Sequence, residues 1–315
     1  MSGWPETFGD VTGEYASAHE GAGFVGGVHS LSWAVGRDAV SFLQGILSQD
    51  IESMTPGEVA RSFLLQPRGK LEALLWVLRA EDRVGLVADA DHRDATIEAL
   101  SRWRLRVDVE FVADPREMFD VWGPAPASLA VGGGWRDEGG VLVAGVPAEP
   151  LRCRLVAGLD SAELQSRGMR PIGRQVATTL RIETGEPRIG IDVDGRTIPQ
   201  ETGLVAQAVS FDKGCFLGQE LAARIDSRGR VNRNLRGVRV LEPVIPPVGA
   251  RVTLPGKAVG SLTSVGESLA VRAPVALALI RREAPPGTRV AVSWDGATVE
   301  AVIEELPLIG DRLTS

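Results

Sequence analysis

A proline-rich break near residue 243 divides the chain into two regions of different pattern. Pro243, Pro246 and Pro247 stand close together, and proline stops a helix or a central strand from continuing. The region that follows contains six short β-rich runs, several of them separated by Pro-Gly or Asp-Gly turns: 236–240, 251–254, 258–263, 270–280, 289–294 and 298–303. Short strands with such turns are typical of a small barrel. We therefore predict a C-terminal β-barrel domain over residues 235–315.

The region before the break mixes strand and helix patterns. Apolar runs on either side of Pro67-Arg68-Gly69 predict a hairpin. Helical spacing of apolar residues follows Asp38 as an N-cap, and a further helix is predicted over 173–184, ending at Gly185. These patterns predict an α+β fold with two ferredoxin-like subdomains around one cleft. The subdomains are predicted to span residues 28–234 and to divide near 130–150, after a flexible lead-in over residues 1–27.

The composition excludes several classes of protein. The chain has 315 residues, of which 44% are hydrophobic and 24% charged, as in ordinary globular proteins. A net charge of −7 argues against direct DNA binding or attachment to an anionic membrane. No apolar run reaches the length of about 18 residues that a membrane helix needs, and the first thirty residues lack the pattern of a secretory signal.

The use of cysteine and histidine indicates a reducing compartment. The two cysteines, Cys153 and Cys215, lie far apart, and there is no Cys-x-x-Cys pair. We therefore expect a cytoplasmic protein with no disulfide scaffold. With only three histidines in addition, the sequence predicts no preassembled metal or iron–sulfur site within one chain.

One of these cysteines lies in an unusual setting. Cys215 follows Lys213, lies between Gly214 and Gly218, and precedes an amphipathic run that continues through Arg224. A helix opening near Leu217 would place the sulfur beside unpaired backbone N–H groups, and this position and the lysine both favour the thiolate. The alternative is a small residue buried at a strand-to-helix turn.

This motif resembles the signature of a known family. Lys213-Gly214-Cys215-Phe216-x-Gly218-Gln219-Glu220, followed by Ala223-Arg224, is similar to the signature of the YgfZ proteins. These are folate-binding relatives of the glycine cleavage T-protein, linked to iron–sulfur cluster maintenance. Two more motifs resemble the same group of proteins: Gly36-Arg37-Asp38-Ala39 with its helix, and Arg181-x-Glu183-x-Gly185.

The resemblance implies a cofactor, a set of site residues and partners. The cofactor is tetrahydrofolate or a one-carbon derivative, bound in the cleft between the subdomains. Cys215 is the expected reactive residue, with Lys213 beside it. Glu183 is expected to accept hydrogen bonds from the pterin edge, and Trp33 to stack on the ring. The remaining predicted folate contacts are Arg224, at the acidic tail, Gln219 and Glu72. Iron–sulfur proteins or the cluster-assembly machinery are the implied partners.

Three functions are compatible with these residues. The first is a folate-binding accessory protein of the YgfZ type that acts in iron–sulfur cluster assembly or repair. The second is a folate-dependent aminomethyl- or methyltransferase, and the third is a non-catalytic binding module. T-proteins carry a functional acid in the strand after Gly69, whereas the nearest acid here, Glu72, is offset by one residue. Because one residue changes the face of a strand, the sequence favours the first function.

Overall fold

The fold was analysed in a computed structural model, which describes residues 3–124, 126–148, 151–220, 223 and 231–310. The α-helices are α1 Val11–Glu20, α2 Ala39–Ile46, α3 Arg93–Ser101, α4 Ser161–Ser166, α5 Arg174–Thr184 and α6 Val205–Ala208. The strands before the proline-rich break are β1 Gly23–Gly26, β2 His29–Val35, β3 Val59–Leu65, β4 Leu71–Arg79, β5 Arg83–Asp89, β6 Glu110–Ala113, β7 Met118–Trp122, β8 Trp135–Glu138, β9 Val141–Ala148, β10 Leu151–Ala157 and β11 Arg170–Pro171. Those that begin just before it or follow it are β12 Arg233–Val240, β13 Arg251–Leu254, β14 Lys257–Ser268, β15 Ala273–Arg281, β16 Arg289–Trp294 and β17 Ala297–Glu304.

The first sheet has the order β3-β4-β5-β2-β6. Without its edge strand β3, this is the strand order of a ferredoxin-like unit, built as β2-α2-β4-β5-α3-β6. Leu43 of α2 and Leu100 of α3 are fully buried against Val77 and its neighbours in one core cluster. The helices therefore cover one face of this sheet and leave the other face to the second subdomain.

The second sheet has the order β11-β1-β7-β10-β9-β8. Its strand β1 comes from the N-terminus and pairs with β7 on one side and β11 on the other. Tyr15 and Ala18 of α1 are buried in the core beneath it. The prediction of a flexible lead-in over residues 1–27 is therefore wrong for the described residues 3–27, because they form α1 and β1 and bury Tyr15, Ala18 and Val25 in this core.

The boundary between the two sheets also differs from the prediction. Strand β6 belongs to the first sheet and β7 to the second, so the chain changes sheets between Ala113 and Met118 and not near 130–150. An alternating pattern identifies a strand but carries no information about which sheet the strand joins. The segment 130–150 instead contains β8 and all of β9, two paired strands of the second sheet.

The C-terminal strands close into the barrel β12-β15-β14-β13-β16-β17. The predicted α+β architecture with a terminal barrel is thereby confirmed. Helix α5 packs against β14 so closely that an added Cβ at Gly266 would lie 2.5 Å from Oγ1 of Thr179. Helix α5 also borders the core of the second sheet through Val176 and Leu180, so it connects the barrel to the rest of the molecule.

Gly123 tests the interlock between α1 and the second sheet. It has φ +85°, and an added Cβ would lie 2.5 Å from the carbonyl oxygens of both Ala18 and Gly21. We expect Gly123→Ala to lower the free energy of unfolding by about 2–3 kcal/mol through backbone strain and overpacking. The control is Gly45→Ala, in helix α2 with open space around its Cβ, which should stabilise by about 0.4–1 kcal/mol. Equal effects in chemical denaturation would contradict this packing.

Candidate functional site

A narrow central cavity lies where the two sheets meet α5. Its walls combine apolar side chains with a set of charged ones: Val25, Val28, His29, Arg61, Leu74, Leu75, Trp76, Val87, Asp89, Asp120, Trp122, Ala177, Arg181, Glu186, Pro187 and Arg188. The space open to the centre of a water molecule is about 50 Å³, so a flat ring enters only when side chains of the wall move apart. A mostly apolar slot with a few convergent polar groups is the usual form of a small-molecule site.

A histidine–carboxylate pair lies in one wall of this cavity. Nδ1 of His29 is 2.9 Å from both oxygens of Asp120, which is buried in the middle of β7. Burial lowers the pKa of His29, but the nearby carboxylates of Asp120 and Asp89 outweigh that effect and the opposing charge of Arg188, so the net shift is upward. Asp120 thus orients the ring and favours its protonated form.

An arginine–carboxylate pair lies between the cavity and an outer cleft beside the barrel. The two terminal nitrogens of Arg61 donate to the two oxygens of Glu186, each at 2.5 Å. The guanidinium also lies over the ring of Trp76, 4.1 Å from its centre. Both Arg61 and Glu186 line the central cavity as well as the outer cleft, which is bordered by Thr184, Gln207 and the segment 305–307. This pair therefore forms the partition between the two spaces.

A second arginine anchors the loop after α5. Nε of Arg188 donates to Asp89 at the end of β5 at 2.9 Å, and both side chains are buried. Asp89 also accepts from the backbone N–H of Ile189 at 3.3 Å. This ion pair holds the loop against the first sheet and closes the cavity on that side.

The Cys215 loop forms a separate site on the surface. Lys213 is buried, and its Nζ donates to the backbone carbonyls of Gln44, Leu47 and Gln49 at 2.5, 2.7 and 2.8 Å. It thereby caps the C-terminal end of α2. Cys215 itself is exposed. The lysine therefore positions the loop by binding carbonyl groups of another element, a function that the sequence did not reveal.

The residues that follow Cys215 complete this loop. Gly218 has φ +77°, and an added Cβ would lie 2.6 Å from the carbonyl oxygen of Gln66, as expected for a glycine in a tight turn. Oε1 of Gln219 accepts from the N–H of Phe216 at 3.3 Å, so Gln219 supports the turn and does not line the central cavity. Helical structure begins at Gln219, two residues from the predicted opening near Leu217, and Arg224 lies outside the described residues.

Glu183 is fully buried, but it faces α1 and not the central cavity. Its carboxylate accepts a hydrogen bond from the hydroxyl of Tyr15 and lies 3.2 Å from Nε2 of His19. The Tyr15 hydroxyl also accepts from the N–H of Ala270 in the barrel domain, 3.1 Å away. Burial and the charge of Glu183 raise the pKa of Tyr15. In this arrangement Glu183 connects α5, α1 and the barrel domain.

Trp33 also contacts neighbouring side chains that lie away from the cavity. Its Nε1 donates to Asp114 at 2.9 Å, the guanidinium of Arg83 lies 4.1 Å from its ring centre, and Trp135 lies 5.6 Å away. The hydrogen bonds from Arg116 and Trp33 outweigh burial and lower the pKa of Asp114 to about 2. In the structure Trp33 therefore packs between the two sheets and leaves no open face for a stacked ring.

Glu72 faces away from the cavity because of a β-bulge. Leu65 pairs with Leu71 and Leu64 pairs with Ala73, so Glu72 is the extra residue of β4. Its carboxylate binds Arg102 at the end of α3, at 2.9 Å. Beyond the bulge, the side chain that lines the cavity is Leu74, which carries no acid.

Sequence reasoning missed the polar residues that do line the cavity. Two of these residues were recognisable in the sequence. Asp120 is an acid within the otherwise apolar strand Met118–Trp122, and His29 is one of three histidines. Arg61 and Glu186 gave no local signal, because they are 125 positions apart and pair only after folding.

Comparisons with known proteins agree with this architecture. The model of the GCVT N-terminal domain matches residues 5–131, and that of the glycine cleavage T-protein C-terminal barrel domain matches residues 233–309. An aminomethyltransferase from Bordetella petrii is 28% identical over 98% of this chain and 91% of its own length. Another from Nostoc sp. is 24% identical over 98% of this chain and 90% of its own.

A solved structure gives the same result for the fold. The crystal structure of the glycine cleavage system aminomethyltransferase T from Bartonella henselae superimposes with a TM-score of 0.87 at 21% sequence identity. The match covers 97% of this chain and 91% of that one. The two sheets and the barrel are thus one known architecture along almost the whole chain.

Lys213 is expected to stabilise the protein as an internal cap. Lys213→Met should lower the free energy of unfolding by about 2–4 kcal/mol, because three buried or half-buried carbonyls lose a charged donor. Lys257→Met is the control, since Lys257 forms an exposed pair with Glu283 and should change stability by less than about 0.5 kcal/mol. Chemical denaturation of both variants measures the difference, and similar losses would contradict the capping role.

The same lysine predicts a dependence on pH. Burial lowers the pKa of Lys213 to about 8, while the charges of Asp50 and Glu52 act in the opposite direction. The same lysine in the unfolded chain has a pKa of about 10.4. Between pH 8 and this value the unfolded state therefore binds more protons than the folded state. This group therefore makes the free energy of unfolding rise with pH across that window. The stability difference between wild type and Lys213→Met should grow between pH 8 and about 10.4, and a constant difference would count against this.

The two thiols are expected to differ in reactivity. Cys215 is exposed, whereas Cys153 is buried in β10 and burial raises the pKa of its thiol. In the native protein iodoacetamide should alkylate Cys215 at least about ten times faster than Cys153. Cys215→Ser and Cys153→Ser variants assign the two rates by mass spectrometry. Comparable alkylation rates of the two cysteines in the folded protein, without denaturant, would contradict the expected difference in reactivity.

Proposed function

We propose, from the premise that the chain carries both domains of the glycine cleavage T-protein, that it binds tetrahydrofolate in the central cavity. The observation that carries the proposal is the cavity itself, a slot between two sheets whose apolar walls contain three cation–carboxylate pairs. A pterin is flat and has polar edges, so it needs apolar faces above and below and hydrogen-bonding groups around it. Tetrahydrofolate is then the carrier of a one-carbon group.

The transfer of an aminomethyl group to this carrier is the reaction we propose. It is supported by the relatives of similar length, which are named aminomethyltransferases. The side chains available for proton transfer in the cavity are His29, held by Asp120, and Asp89, held by Arg188. Strand β4 contributes Leu74 and Trp76 to the cavity and no acid, since Glu72 faces α3. The groups that we propose for proton transfer therefore lie in the wall formed by β2, β5 and β7.

A second candidate function is the accessory role in iron–sulfur cluster assembly or repair. One observation favours it: the exposed Cys215 lies in a loop that a buried lysine fixes to α2. An exposed thiol on a rigid support suits exchange with a partner protein. In this function tetrahydrofolate remains the cofactor, and iron–sulfur proteins or the assembly machinery are the partners. The two candidates share the cavity and differ in whether Cys215 is needed.

Ala177 offers a direct test of the binding site. It lies on α5, where its side chain lines the cavity. Ala177→Leu should fill the slot and weaken tetrahydrofolate binding at least about tenfold in calorimetric titrations. Gln175→Leu places the same side chain on an exposed position of the same helix and should leave the affinity unchanged. Absence of binding to the wild type, or an equal loss in both variants, would reject the proposed site.

Cys215→Ser separates the two candidate functions. If aminomethyl transfer is the function, the variant should bind tetrahydrofolate and transfer the group at the wild-type rate, because the thiol lies outside the cavity. If the accessory function is the correct one, the variant should bind tetrahydrofolate but fail to restore iron–sulfur enzyme activity in cells that lack the protein. The two measurements together assign the function.

A further inference from the structure

Two hydrogen-bond donors in the cavity wall have no partner among the residues that the structure describes. They are the indole Nε1 of Trp122 and the guanidinium Nε of Arg61. Both side chains are more than nine-tenths buried, with 6% and 4% of their surfaces exposed. Each atom can only donate a hydrogen bond, and leaving it without an acceptor in a buried position is costly. The two atoms thus require an acceptor that the described part of the chain does not supply.

His29 adds a third donor to the same wall. Its Nδ1 binds Asp120, and no described residue is hydrogen-bonded to its Nε2. Asp120 and Trp122 are two positions apart on β7, so their side chains lie on the same face of the second sheet. The pair with Asp120 favours the protonated ring, whose Nε2 carries a hydrogen. The other charged groups near His29 are Asp89 and Arg188, which bind each other.

The carboxylates of the cavity are already engaged. Asp120 binds His29, Asp89 binds Arg188, and Glu186 binds Arg61 through both oxygens. Among the described side chains that line the cavity, the groups left for a ligand are therefore donors. A ligand that fits must present acceptor atoms to this wall.

We infer that the wall formed by Trp122, Arg61 and His29 recognises the acceptor of the bound ring, that is, a ring oxo group, whose two lone pairs accept hydrogen bonds from these donors. This inference rests on the proposed function, in which the ring is the pterin of tetrahydrofolate. It predicts a chemical selectivity: an oxo group at position 4 of the ring is accepted, and an amino group in its place, which is a donor, is rejected. The specificity of the site then lies in donors that have no acceptor among the described residues.

The test compares tetrahydrofolate with its tetrahydro 4-amino analogue. The wild type should bind the 4-oxo form at least about tenfold more tightly in calorimetric titrations. Trp122→Phe keeps most of the ring volume but removes the N–H, and should reduce this preference severalfold. Trp135→Phe is the matched control, because its Nε1 donates to the carbonyl of Arg79 outside the cavity; it should retain the full preference.

NMR spectroscopy of the Trp122 indole N–H provides a second measurement. In the ¹⁵N-labelled protein, the indole signal that is absent from Trp122→Phe should move downfield with tetrahydrofolate and not with the 4-amino analogue. Tight binding of both ligands with an unmoved Trp122 signal would overturn the inference and leave the proposed function standing. If neither ligand binds, the proposed function fails and this inference fails with it. The two failures are therefore distinguishable.

Discussion

The arrangement of the whole molecule depends on the buried ion pair between Arg181 and Asp192. The guanidinium lies 2.5 Å from the carboxylate and also donates to Oγ of Ser264 in β14, while Asp192 accepts from Thr263 and Ser264. One pair of charges therefore joins α5, the loop after it and the barrel. Removing either partner from such a pair typically costs about 3–5 kcal/mol, because the other charge stays buried and uncompensated. The barrel is thus held to the two sheets by polar contacts of fixed geometry in addition to apolar packing.

Residues near the end of α5, before and after the helix terminus, contact different parts of the molecule. Gly185 has φ +75° and ends the helix. Glu183, in the last turn of the helix, binds Tyr15 and His19. After the turn, Glu186 and Arg188 enter the wall of the central cavity. A single short segment therefore fixes the N-terminal helix, the barrel and the cavity relative to one another. The helix dipole disfavours a glutamate in the last turn of a helix. Here the side chain is tolerated because two hydrogen-bonding partners surround it.

Local patterns predicted the parts of this fold that depend on local physics. The hairpin around Gly69, helix α5 and the barrel strands all follow from turn chemistry and apolar spacing. Long-range pairing escaped prediction. Strand β1 joins the second sheet although it precedes the first, and His29 meets Asp120 across 91 positions. For the site, the motif around Cys215 drew attention to that loop, but the polar residues of the cavity come from five separate segments and carry no common motif.

The bulge at Glu72 shows how little change in a sequence can alter the chemistry of a cavity wall. Side chains alternate along a strand, so one extra residue reverses the face of everything on one side of it while the ladder on the other side is kept. Insertion or loss of a single codon at such a point therefore changes which face of the sheet a side chain occupies, without any substitution in the core. In evolutionary terms, a bulge beside a cavity lets one scaffold change the residues of the cavity wall in a single step.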